Sequence, residues 1–178
     1  ALARALVFNP QLVLMDEPLG ALDKQLREHM QIELKELHRQ LGVTFVYVTH
    51  DQGEALTMSD RVAVFNEGII QQLADVESLY ETPSNRFVAS FVGDSTVLTG
   101  TLHNQGAHQG APAGLQLPSG QWLQGVNVNQ APQGATVEAS IRPERIVLHP
   151  PGASTGPNTV PATVARAIYY GDHLRLMC

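Results

Sequence analysis

The sequence predicts an α/β domain followed by a small all-β domain. Residues 1–94 carry 7 basic and 14 acidic side chains and alternate apolar runs with helical patterns. Residues 95–178 carry only 4 basic and 3 acidic side chains, and they are rich in Gly, Gln, Asn and Pro. Short apolar clusters recur between these turn residues, which favours short strands over disorder. We therefore expect two domains, 1–94 and 95–178, with a boundary near Gly93–Thr96.

A strand–helix–strand unit is predicted near the start of the chain. Leu12–Met15 is a continuous apolar run, typical of a parallel strand that is buried on both faces. Leucine and methionine then recur at helical spacing over residues 23–41, and Gly42 follows as a C-terminal stop. Val43–Thr49 is rich in β-branched residues and predicts the second strand.

The rest of the first domain is predicted as a hairpin surrounded by short helices. Two apolar runs flank Asn66-Glu67-Gly68, and a glycine in this position is typical of a hairpin turn. The predicted elements are a helix over 52–58, strands over 62–65 and 69–72, and helices over 76–80 and 86–92.

Composition excludes several classes of protein. The hydrophobic content of 43% is enough for a packed core, and the net charge of −6 argues against a protein that binds nucleic acid through a basic face. A single cysteine, Cys178, excludes a disulfide framework and indicates a reducing compartment. The sequence has no apolar run near the roughly 20 residues of a membrane span.

Acidic residues and a histidine follow the two predicted strands. Asp16 and Glu17 end the first strand, and His50 ends the second. A right-handed crossover makes such strands parallel and brings their carboxyl ends to one edge of the sheet. Each residue alone also has an ordinary interpretation: Asp16 caps a turn, Glu17 is solvated, and His50 is a core or surface histidine with its hydrogen bonds satisfied. Together, two carboxylates and an imidazole suit metal-assisted phosphate chemistry, in which they hold Mg²⁺, polarise water and donate to a phosphoryl oxygen.

These residues lie in segments that resemble the ATPases of ATP-binding cassette (ABC) transporters. The order and spacing of the segments match that family across residues 1–94, and Glu54–Val64 further resembles its importers. The resembling segments are Ala1–Leu6 (the helix after the signature motif), Leu12–Pro18 (the Walker B strand), Leu19–Asp23 (the D-loop) and Tyr47–Gln52 (the switch histidine segment).

The second half resembles the C-terminal accessory domain of the same importers. Ser140–Glu144 and Tyr170–Asp172 carry this resemblance to the TOBE domain. It implies a small OB-like β barrel over residues 95–178. The fold implied for the first half is the C-terminal part of a P-loop NTPase domain of ABC type.

The resemblance implies that ATP and Mg²⁺ are the cofactors and gives each site residue a role. Asp16 would coordinate Mg²⁺ through water, Glu17 would be the general base, and His50 would contact the γ-phosphate. Asp23 would contribute to the nucleotide site by communicating across the dimer interface. From the residues alone, Asp23 is equally well interpreted as a helix N-cap.

The resemblance also implies partners and a location. The subunit would form a homodimer, bind transmembrane permease subunits at the cytoplasmic face of the membrane, and work indirectly with a solute-binding protein. The residues of the motifs resemble those of polyamine (spermidine/putrescine) importers, while importers of ferric iron, sugars and sulfate are alternatives. A second alternative is a non-enzymatic module that binds a small ligand near Arg142, Glu144 and Arg166. Nucleic acid is not an expected partner.

Part of the nucleotide site is not found in this sequence. A phosphate-binding loop needs a lysine after glycines. The two lysines, Lys24 and Lys35, follow Asp23 and Leu34 instead. We expect that loop, and the serine-glycine-glycine signature, upstream of Ala1, and we expect the isolated chain to be inactive.

Overall fold

The computed structural model describes residues 2–105, 110–153 and 156–178 of a mixed α/β chain. The chain divides into two compact units, residues 1–94 and 95–178. Ala1, the first residue of the predicted N-terminal helix, lies outside the described residues. None of the described helices is both long enough and apolar enough to cross a membrane.

The first unit contains every helix and strand that the sequence predicts there. The parallel pair and the hairpin form separate two-stranded sheets. The elements in chain order are α1 (Leu2–Leu6), β1 (Leu12–Asp16), α2 (Lys24–Leu41), β2 (Thr44–Val48), α3 (Gln52–Met58), β3 (Arg61–Asn66), β4 (Ile69–Asp75), α4 (Val76–Glu81) and α5 (Arg86–Phe91).

Strands β1 and β2 are parallel, as the strand–helix–strand pattern predicts, with Asp16 opposite Val48 in the register. The prediction that β1 is buried on both faces is wrong for this chain. Val13 is buried on one face, but Leu14 on the other is 72% exposed. A two-stranded sheet has two open edges, and within the described residues this second face stays open to solvent.

Helix α2, which connects these strands, begins and ends at the residues that the sequence indicates. Asp23 is its N-cap, and the Asp23 Oδ1 accepts a hydrogen bond from the Leu26 amide at 3.0 Å. Gly42 ends the helix in the left-handed region, with φ of 62°, and its amide donates to the His38 carbonyl. Glycine adopts this conformation without the steric cost that a Cβ would add.

The core of the first unit lies between the hairpin and the short helices. The β3–β4 turn uses two left-handed residues, Glu67 and Gly68, which give the strands a tight reversal. Apolar side chains from the hairpin and from α3, α4 and α5 then pack into one cluster. Its buried members are Ala55, Val62, Val64, Leu79, Val88 and Val92.

The second unit is built from short strands joined by turns, as predicted. Strands β5 to β8 form an antiparallel sheet in the order β7-β6-β5-β8, and β9 and β10 form a separate antiparallel pair. The resemblance predicts a closed barrel, but the pairings of the described strands do not close one. The strands are β5 (Thr96–Asn104), β6 (Ala111–Gln116), β7 (Trp122–Asn127), β8 (Thr136–Ile141), β9 (Arg166–Tyr169) and β10 (Leu174–Met177).

One glycine in this sheet is required by close packing. A Cβ on Gly100 would lie 2.5 Å from the Gln116 carbonyl oxygen, whereas a Cβ on Gly125 in the same sheet would meet nothing within 4 Å. We predict that Gly100→Ala lowers the free energy of unfolding of this unit by about 1–3 kcal/mol, because the backbone must shift. Gly125→Ala is the matched control and should change it by less than about 0.5 kcal/mol.

Urea unfolding followed by tryptophan fluorescence measures this effect, because Trp122 is the single tryptophan of the chain and lies in this sheet. Equal stability of the two alanine variants would show that the strands around Gly100 are not packed as described.

Candidate functional site

The chain turns sharply where β1 ends. Asp16 is the last residue of the strand, and Glu17 follows with φ of 42°, in the left-handed region that non-glycine residues seldom occupy. The Glu17 amide donates a hydrogen bond to the Val48 carbonyl at 2.9 Å. This bond extends the ladder between the two strands by one residue and holds Glu17 beside the end of β2.

The loop that follows is anchored by a buried leucine. Leu19 is 2% exposed, and its carbonyl accepts a hydrogen bond from the Leu22 amide at 3.1 Å. The Gly20 amide donates to the Glu17 carbonyl at 3.2 Å. The segment between Glu17 and Asp23 is therefore a closed pair of turns on the buried Leu19 side chain.

His50 lies directly against Glu17. The His50 Nδ1 and the Glu17 Oε1 are 2.9 Å apart, and the two side chains are 77% and 51% exposed. The side-chain hydrogen bond to Glu17, followed by the charge of that carboxylate, raises the pKa of His50 above its ordinary value. The structure thus brings together two of the residues that the sequence predicts at this edge.

One of the two predicted aspartates directly precedes Glu17 in the chain, and the other lies six residues after it. Asp16 occupies the end of β1 and is exposed, and Asp23 caps α2. Among the described residues, no group of three or more His, Cys, Asp or Glu side chains forms a metal-binding cluster. A single carboxylate still fits Mg²⁺, which keeps several waters and is bound through one or two carboxylates together with substrate phosphates.

A polar network beside this pair was not predicted. Lys24, in the first turn of α2, is 90% exposed, whereas Arg27 in the same turn is only 28% exposed. The Arg27 guanidinium lies 2.9 Å from Asp51 and 3.5 Å from Glu54, and Glu54 is 2% exposed.

The spacing of buried residues could have identified this arginine. Arg27, Met30 and Leu34 recur at steps of three and four, which places them on one face of α2, and Leu34 is the buried residue of that helix. A sequence signal could also have identified Asp51 and Glu54, because they are spaced like a capping box at the start of α3.

Glu54 is the acceptor at the centre of the network. Its Oε2 accepts hydrogen bonds from the Tyr47 hydroxyl at 2.6 Å and from the Thr49 hydroxyl at 2.7 Å. Burial, reinforced by the bond to Glu54, raises the pKa of Tyr47, so this hydroxyl stays a donor at neutral pH. The backbone hydrogen bond from Glu54, and to a smaller extent the Arg27 charge, lowers the pKa of Asp51. The residues on both sides of His50, Thr49 and Asp51, are thus held by contacts with Glu54 and Arg27.

Known proteins match this chain over most of its length. The TOBE domain family matches residues 139–178. A spermidine/putrescine import ATP-binding protein PotA from Rubrobacter xylanophilus is 50% identical over 97% of this chain and 44% of its own length. These matches confirm the resemblance to ABC transporter import ATPases.

Other relatives carry the same name. PotA 1 of Pseudomonas aeruginosa is 45% identical over 98% of this chain, and PotA of Borreliella afzelii is 43% identical over 96%. The chain covers 46% of the length of each. It therefore spans somewhat less than half of the relatives that it matches.

The geometry of the site predicts a specific titration of His50. Glu17→Gln removes the carboxylate that favours the protonated ring, so the pKa of His50 should fall toward its ordinary value of about 6.5. Since the folded pKa is raised, the stabilising contribution of the pair is present below the ordinary pKa and fades as pH rises through the folded one. NMR titration of the His50 ring protons measures the change.

Glu28→Gln is the control for this titration, because Glu28 is an exposed acid on α2 that pairs with Lys24. A His50 pKa that stays raised in Glu17→Gln would mean that another group, and not Glu17, interacts with the ring.

Proposed function

We propose that this chain forms part of the ATP-hydrolysing, energy-coupling subunit of an ABC import system. The observation that carries the proposal is the 2.9 Å contact between Glu17 and His50 at the carboxyl edge of a parallel strand pair. Ligands of open α/β sheets bind at this edge. The names of the relatives support polyamines, spermidine and putrescine, as the transported solute.

In this proposal Glu17 is the general base. Its Oε1 is taken by His50, while Oε2 makes no hydrogen bond within the described residues and can accept the proton of an attacking water. The left-handed backbone at Glu17, held by the Val48 carbonyl, fixes this carboxylate at the strand end instead of leaving it on a free loop.

His50 would stabilise the charge of the γ-phosphate. With Nδ1 directed to Glu17, only Nε2 remains to face a phosphoryl oxygen, and it can donate a hydrogen bond when the ring is protonated. The raised pKa of His50 favours that protonated form, so one ring would donate to both the carboxylate and the phosphate.

The two aspartates have supporting roles. Asp16 would hold Mg²⁺ through water, and the bound ion would neutralise charge on the phosphates. Asp23 caps α2 through the Leu26 amide, and the resemblance to ABC transporter ATPases implies that the same residue would communicate across the interface of an ATPase homodimer. The capping and interface roles are compatible.

The rest of the nucleotide-binding domain would supply the phosphate-binding loop and the signature motif. It would also cover the open face of the parallel sheet, where Leu14 is 72% exposed and Val48 is 56% exposed, because parallel sheets are normally covered on both faces. The assembled subunit would bind permease subunits at the cytoplasmic face of the membrane and receive solute through a solute-binding protein.

The second unit would act as the TOBE-type accessory domain of this subunit. The alternative, an independent ligand site near Arg142, is less well supported because Arg142 is 6% exposed and is therefore not an open surface cation. Importers of ferric iron, sugars or sulfate are alternatives for the solute alone, and uptake assays with labelled solutes separate them.

ATP hydrolysis is measured in a complete subunit, by which we mean the Rubrobacter xylanophilus relative with its matched segment replaced by this chain. In this complete subunit, Glu17→Gln should reduce steady-state ATP hydrolysis by about 10²–10⁴-fold, because the amide cannot accept the proton of the water. Equilibrium binding of MgATP should persist, since the amide keeps the shape of the side chain.

Glu28→Gln is again the matched control and should keep the parent turnover. A Glu17→Gln variant that turns over within about threefold of the parent would refute the general-base role.

The isolated chain should neither bind MgATP with useful affinity nor hydrolyse it. Phosphate recognition relies on backbone amides of a glycine-rich loop and its lysine. Asp16 and Glu17 add negative charge at the strand end, so without that loop they repel a triphosphate. Isothermal titration calorimetry tests the prediction, and micromolar binding that disappears in Asp16→Ala would contradict it.

A further inference from the structure

Arg27 connects two loops that carry proposed site residues. Its Nη2 donates to the Leu22 carbonyl at 3.1 Å, just before Asp23 in the loop that follows β1. Its Nη1 donates to the Asp51 carboxylate at 2.9 Å, directly after His50. The planar guanidinium makes both bonds at once, which sets the separation of the two loops.

The residues on both sides of His50 are tied to the same network. Asp51 accepts from the Glu54 amide at 3.1 Å, and the Thr49 hydroxyl accepts from the Asp51 amide at 3.0 Å while donating to Glu54. The Arg27 Nε, which is buried without a hydrogen bond, lies 3.5 Å from the buried Glu54 carboxylate.

The Glu17–His50 contact itself is exposed, and exposed ion pairs contribute little to holding a geometry. The contact therefore depends on the backbone that presents each side chain. Glu17 is fixed by its bond to the Val48 carbonyl, whereas the turn at His50 is fixed by the network around Arg27 and Glu54.

We propose that Arg27 is a positioning residue of the hydrolytic site. It fixes the distance between the turn that carries His50 and the loop that follows β1, and this distance lets His50 contact Glu17. The expected loss of kcat rests on the proposed function, but the expected change at the His50 ring is independent of ATP hydrolysis.

The kinetic test compares variants of the complete subunit. Arg27→Lys keeps the charge but cannot bridge both loops, so kcat should fall about ten- to a hundredfold while KM for MgATP changes less than about threefold. Arg39→Lys is the control, because Arg39 lies on the same helix and is 75% exposed. Unchanged kcat in a folded Arg27→Lys variant would overturn the proposal.

A second variant addresses folding, since Arg27→Lys weakens the compensation of a buried carboxylate. Arg27→Gln combined with Glu54→Gln removes both charges and leaves an amide oxygen to accept from Tyr47 and Thr49. This double variant should show the same loss of kcat, and parent kcat in it would overturn the proposal.

Action through His50 is tested by non-additivity. In a His50→Ala background, Arg27→Lys should add less than about twofold to the loss already caused by His50→Ala, because the residue that Arg27 positions is gone. Losses that multiply would show that Arg27 acts by another route and would overturn the positioning role.

The structural test is the state of the His50 ring in the complete subunit without nucleotide. At a pH where titration shows the ring to be neutral, the ¹⁵N shifts should show the proton held on Nδ1 toward Glu17 in the parent and in Arg39→Lys. In Arg27→Lys the two neutral tautomers should be mixed. The same tautomer in Arg27→Lys as in the parent would overturn the proposal. If the complete subunit had no ATPase activity, the proposed function would be refuted, but this comparison of tautomers could still be made.

Discussion

The parallel pairing of β1 with β2 is the constraint on which the site depends. Because α2 returns the chain to the start of a parallel neighbour, both strands end at the same edge, and the register places Asp16 opposite Val48. One further backbone bond, from the Glu17 amide to the Val48 carbonyl, carries this pairing past the end of β1. Glu17 and His50 meet because of that backbone geometry.

The buried carboxylate of Glu54, beside this edge, depends on its neighbours for compensation of its charge. Breaking a buried ion pair by removing one partner typically costs about 3–5 kcal/mol, because the remaining charge is left uncompensated. Glu54, which is 2% exposed, is compensated by Arg27 and by two hydroxyl donors. A hydrophobic pair in the same place would bury equally well, but it would not fix the direction of the turn after β2.

Local chemistry in the sequence was enough to predict the helices and strands of the first unit, and the strand–helix–strand pattern predicted that Glu17 and His50 lie at one edge of the sheet. Gly42 and Asp23 mark the ends of α2 through backbone conformation and capping, which depend on nearby residues alone. The role of Arg27 depends on two groups that are 24 and 27 positions away in the chain, Asp51 and Glu54. A charged residue in the first turn of a helix is normally interpreted as solvated, unless the helix face on which it lies is taken into account.

Burial was predicted less well than secondary structure. The apolar run of β1 is typical of a strand covered on both faces, yet Leu14 is 72% exposed, because burial depends on which elements pack over the sheet. The sheet of the second unit shows the same limit. Turn residues predict its strands, but they do not show that Gly100 must approach the Gln116 carbonyl.

The hydrogen bond between Glu17 and Val48 is the most direct test of this account. In the complete subunit, a long-range NMR experiment that detects coupling across hydrogen bonds should show the Glu17 amide nitrogen coupled to the Val48 carbonyl carbon, with slow exchange of the Glu17 amide proton. Rapid exchange of that amide without any coupling, or coupling to a different carbonyl, would contradict the parallel register that brings Glu17 to His50.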